Sequence, residues 1–134
     1  MMKGMIHMKL NPDCLRDILI VMEKAGYLEE LSPQSVYDAL PNYLEEEINY
    51  SIIKLKEAGF IDAIIKEYNT GIAILRLDDI TYRGHQFLAD IRSDTVWNNV
   101  KEVSKKVGSN SLTAISQIAT GVITEIIRSQ LGLI

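Results

Sequence analysis

Cysteine occurs once in the 134 residues, at Cys14, so the chain can form no internal disulfide and nothing in it asks for an oxidising compartment. No uncharged apolar stretch reaches the roughly 18 residues that a transmembrane helix needs. The N-terminal MMKGMIHMKL lacks a continuous apolar segment followed by a small-residue cleavage site, so it does not read as a signal peptide. Met8 can itself serve as a start, which would leave residues 1–7 as an extension, and the cytoplasm is the expected compartment. Positive charge is also scarce. A net charge of −4 argues against broad nucleic-acid affinity while leaving room for a local basic patch. Catalytic signatures are missing as well: there is no P-loop, no Gly-rich dinucleotide motif and no nucleophile elbow. Two histidines and one cysteine without ligand spacing make no zinc site. No enzyme, cofactor or metal is expected.

What is present suits a folded domain. The chain is 47% apolar, enough for a real core, and 24% charged. Leu10-Asn11-Pro12-Asp13 reads as a helix start, with Asn11 as cap, Pro12 at the first helical position and Leu10 and Leu15 at the staple positions. Cys14, Leu15, Ile18, Met22 and Ala25 then recur at helical spacing, with Arg16 and Asp17 mostly opposite, and Gly26 is the expected terminator. Ser32-Pro33 starts a short second helix that Pro41 stops. Asn42 with Glu45 three residues on predicts a capping box for a third helix, whose inward stripe is Leu44, Ile48, Ile52 and Leu55 and whose end is Gly59. From Phe60 the period becomes two, and Asn69-Thr70-Gly71 predicts a hairpin turn, with Ile72 to Leu77 as the returning strand. Asp78-Asp79 reads as turn chemistry before Thr81, the expected cap of a fourth helix with Phe87, Leu88 and Ile91 inward. Ser93 or Asp94 starts a fifth helix, carrying Val96, Val100, Val103, Val107 and Trp97, that Gly108 stops. A sixth, capped by Ser109, Asn110 or Ser111, runs to about Leu131 with an apolar arc wider than the roughly 100° of a one-sided surface helix.

Two short capped helices, a Gly-terminated helix, a hairpin and a further capped helix are the order of a winged helix-turn-helix. The expected fold is α+β and mainly α: a winged-helix domain over residues 8–93, with a helical extension for packing or dimerisation over 94–134. The segments NPDCLRDIL, YSIIKLKEAGFI, LDDITYRGHQFLADIR and TVWNNVKEVSKKVG resemble a family of small uncharacterised proteins, a domain of unknown function frequent in prophages and in genomes of Gram-positive bacteria. ITYRGHQFL is the most specific of them. The resemblance covers roughly Met8 to Leu131 and implies a winged-helix core and a bacterial or phage origin; it carries no site residues across.

Candidate contacts therefore come from the residues alone. In a winged helix the third helix enters the major groove and the wing touches backbone or minor groove. Asn49 and Tyr50 can reach base edges there, and Lys54, Lys66 and Arg76 can meet phosphates, with Lys56 and Arg83 nearby. Against that stand Glu45, Glu46 and Glu47 in the first helical turn, where they favour the helix dipole but repel phosphate. Two readings follow: a DNA-binding regulator of bacterial or prophage genes, or a protein–protein module whose face is the acidic third helix. Lys101, Lys105 and Lys106 read as a solvated outer face, and Cys14 as a core thiol. The wide arc of the last helix fits either packing within the chain's own core or, the favoured reading, self-association, with Leu112, Ile115, Ala119, Val122 and Ile126 as dimer contacts. The expected partners are double-stranded DNA, a second copy and a further protein, with no membrane.

Overall fold

The computed structural model describes residues 9–109 and 111–133; the expectations placed on Met8 and Asn110 lie outside them. The first helix, α1 (Pro12–Glu23), begins where the sequence predicts, with Asn11 Oδ1 accepting the Cys14 N–H at 3.3 Å. It ends three residues before Gly26. The Ala25 N–H turns back to the Met22 carbonyl at 3.1 Å, closing the helix early, and the left-handed residue of the following turn is Leu28, at φ 64°. Leu31 then forms an antiparallel bridge with Leu77, exchanging hydrogen bonds of 2.9 and 2.8 Å. A single residue gives no periodic signal, so this link is invisible in the sequence.

The second helix, α2 (Pro33–Ala39), is capped by Ser32 as expected and stops before Pro41. The third, α3 (Glu45–Glu57), starts later than the Asn42 capping box implies. Asn42 and Tyr43 are spent in one more turn: the Tyr43 N–H meets the Leu40 carbonyl at 3.3 Å and its hydroxyl donates to Asp17 at 2.7 Å. Leu44 becomes the cap residue, and Glu47, rather than Glu45, reaches back to its N–H at 3.2 Å. Leu44 is thereby 67% exposed and leaves the inward stripe, while Ile48, Ile52 and Leu55 are fully buried.

The wing is an antiparallel hairpin of β1 (Ile61–Tyr68) and β2 (Gly71–Ile80) around Asn69-Thr70, with Tyr68 opposite Gly71. Two irregularities, after Asp62 and after Ile64, shift the register, so burial fades toward the tip. Asp78 and Asp79 belong to β2 rather than to a turn: the strand is carried on to Ile80, whose side chain is buried. Next, α4 (Tyr82–Ile91) is capped by Thr81, whose hydroxyl also donates to the Gly59 carbonyl at 2.6 Å. Gly84 lies against Phe60 so closely that an added Cβ would stand 2.0 Å from the Phe60 carbonyl oxygen. This glycine fixes the junction of α3, β1 and α4.

A helical hairpin closes the fold. Its arms are α5 (Asp94–Val107), capped by Ser93 and ended by left-handed Gly108, and α6 (Leu112–Gln130), capped by Ser111. Val96, Trp97, Val100, Leu112, Ile115 and Ala119 join the same buried cluster as α1, α3 and α4, so one core runs through both the winged helix and the appended hairpin. The outer positions differ: Val103 and Val107 are 37% and 64% exposed.

Candidate nucleic-acid interface

The α3 core stripe of Ile48, Ser51, Ile52 and Leu55 leaves the opposite side of the helix for partners. With 100° between successive residues, Glu46, Ile53 and Glu57 lie at the centre of that outer side, flanked by Asn49 and Tyr50. Glu45 and Glu46 are exposed and Ile53 is half-buried, so the outer surface is acidic around one apolar residue. Glu47 is turned inward, accepting from Asn11 Nδ2 at 3.2 Å as well as from the Leu44 N–H.

The five candidate DNA contacts do not come together. Asn49 is held on the α2 side, where its Oδ1 accepts the Tyr37 hydroxyl hydrogen bond. Tyr50 and Lys54 lie on the other shoulder, lining a groove with Lys9, Leu112 and Thr113. There the Lys54 ammonium sits 5.3 Å from the Tyr50 ring centroid and 2.9 Å from Glu57. That carboxylate raises the Lys54 pKa above its ordinary value. Arg76 is paired with Asp78 at 2.8 Å and with Glu30 at 3.0 Å, the former chiefly raising its pKa. Lys66 stays exposed on the wing. Lys56 and Arg83 are also exposed, and Arg83 stacks 5.4 Å from the Phe60 ring centroid. Among the described residues, Lys56, Lys66 and Arg83 make no ion pair.

Two cations expected to face solvent are instead structural. Arg16 donates from Nε to the Ile91 carbonyl at 3.0 Å and from Nη2 to the Arg92 carbonyl and Asp94 at 2.6 and 2.9 Å. It satisfies carbonyls at the end of α4 that no helical N–H can reach. Lys101 pairs with Asp13 at 2.9 Å, and the Trp97 indole donates to the same carboxylate at 2.7 Å. Partial burial pushes the Asp13 carboxyl up, but those two hydrogen bonds outweigh it and hold its pKa below the ordinary value. Neither contact has a local sequence signal, because the partners stand 75 to 88 residues apart.

Cys14 is fully buried, and burial pushes its thiol up to about 11, as an inert core thiol requires. No cluster of metal-ligating side chains occurs among the described residues, and none of their helices is long and apolar enough to cross a membrane.

The helix order, the Leu31–Leu77 bridge and the hairpin define a winged helix-turn-helix core with two appended helices. The family model for "Hypothetical protein (DUF2513)" matches residues 9–110, and the chain belongs to that family. An "Uncharacterized protein" of Haemophilus influenzae is 34% identical over 122 residues, covering 90% of this chain and 99% of that protein. The crystal structure of a "putative transcriptional regulator" from Thermoplasma acidophilum overlaps 72% of this chain and 92% of its own, at 19% identity and a TM-score of 0.45.

Proposed function

We propose that the protein is a cytoplasmic, non-catalytic transcriptional regulator of bacterial or prophage genes that binds double-stranded DNA as a homodimer. The observation that supports this reading is the set of exposed, unpaired cations Lys56, Lys66 and Arg83, carried by α3, the wing and α4 of a winged-helix scaffold. Phosphate neutralisation drives such contacts, and each one lowers the slope of log affinity against log salt by about 0.9. Contact led by the wing and the C-terminal end of α3 keeps phosphates away from Glu45 and Glu46. Asn49, fixed through Oδ1 by Tyr37, retains its NH2 group as a donor to a base edge. Lys54 and Arg76 contribute less, since each must first leave a carboxylate. Titrating a labelled random-sequence duplex at two salt concentrations tests this. Binding should weaken with salt at a slope near −3 per subunit, roughly one unit shallower in Lys66→Glu. Absence of binding at low salt overturns it.

The acidic outer side of α3 supports a second reading, a protein-contact module. Glu46 and Glu57 share that outer side with Ile53, and a basic protein surface with an apolar centre would match them. The double change Glu45→Lys/Glu46→Lys separates the two: it tightens a DNA complex and weakens a protein complex.

A further inference from the structure

The C-terminal hairpin carries an apolar groove that the chain itself does not fill. It is shallow and open to solvent, about 680 Å3 on the outer side of α5 and α6, with Val103, Ile118, Gly121, Val122 and Ile126 as its small or apolar lining. The expected dimer face does not lie where periodicity alone puts it. Leu112, Ile115 and Ala119 are buried in the subunit's own core, at 8%, 1% and 0% exposure, leaving Val122 half-buried and Ile126 at 38%.

We propose that this outer groove is the contact between two copies of the chain, a face made by α5 and α6 together and centred on Val103 and Gly121. Charge identifies the occupant. Lys106, in the last turn of α5, stands at the end near the interhelical turn, and Glu125, far along α6, stands at the other. A two-fold axis lying in the face, perpendicular to the line between them, carries each copy's Lys106 onto the other's Glu125, so the surface is complementary to itself. Glu102 lies one turn before Lys106 on the same edge, and Asn99 is the remaining polar neighbour.

Gly121 is the second observation. It sits within α6, where glycine costs about 1 kcal/mol relative to alanine. Nothing in the subunit requires it, because an added Cβ would meet no atom within 4 Å. A helix from another copy, packed closely over the groove, accounts for the missing side chain. This contact does not rest on the DNA reading.

Sedimentation equilibrium of the full chain over a wide concentration range tests the proposal. The expected mass is twice that of one chain. Gly121→Leu should shift the protein to monomer while its circular dichroism stays unchanged. Lys106→Glu should weaken the dimer about tenfold, and Lys106→Glu/Glu125→Lys should restore it. A monomer at the highest concentrations overturns the proposal. So does a dimer indifferent to Gly121→Leu, and so does a charge swap that fails to rescue.

Discussion

α3 and α6 are both amphipathic helices on the same core, yet they leave opposite kinds of surface. α3 spends its buried stripe of Ile48, Ser51, Ile52 and Leu55 inward and shows Glu45, Glu46 and Glu57 outside. α6 buries Leu112, Ile115 and Ala119 in its first half, then continues with Ile126 and Ile127 at 38% and 51% exposure. At 19 residues it is about 28 Å long, and its second half carries apolar side chains that the subunit's core leaves uncovered. A charged outer face keeps α3 hydrated. An apolar outer face on α6 gains free energy whenever it is covered.

The largest effect should come from Gly84, which lets α4 approach the end of α3. Gly84→Ala drives a Cβ into the Phe60 carbonyl, and we expect a loss of about 4 kcal/mol or more in urea unfolding. Next, Ile52→Ala and Ile115→Ala should each cost about 2–5 kcal/mol, as deletions from a packed core. Ile127→Ala should cost under about 0.5 kcal/mol in monomeric protein at low concentration. Equal losses for Ile115→Ala and Ile127→Ala would erase the difference between the two halves of α6. Thr81→Ala removes the cap that holds α4 beside Gly59, for about 1 kcal/mol.

The smallest effect concerns pH. Asp13 is held below its ordinary pKa, so its contribution is present above the unfolded carboxylate's range and is lost as pH falls through the folded value. Trp97, hydrogen-bonded to it, reports the change: its fluorescence should titrate in acid, and Asp13→Asn should abolish that titration. Cys14 runs the other way. Its raised pKa means stability is present below the ordinary thiol range and declines as pH rises toward about 11.

Most local structure was legible in the sequence because its causes are local. Asn11, Ser32, Thr81 and Ser93 each cap the helix they precede, Gly108 takes the left-handed position, and Asn69-Thr70 turns the wing. The start of α3 was misplaced because Asn42 satisfies the cap pattern, while Tyr43, tied to Asp17 26 residues away, fixes a different turn. The candidate interface was legible only as a list of residue types. Lys54 and Arg76 pair with Glu57 and Asp78, three and two residues on, which are local partners, whereas Lys101 pairs with Asp13, 88 residues away, which no local pattern marks.

By itself, then, the sequence determined the element order, the capped start of every helix except α3, and most of the core stripe on each helix, since these follow from neighbours within a turn or two of chain. Tertiary structure alone decided that Lys101 is tied to Asp13, that Leu31 joins the wing through Leu77, and that half of the α6 arc is enclosed while half is not. Those outcomes depend on where one helix ends relative to another, a distance through space that no local period encodes.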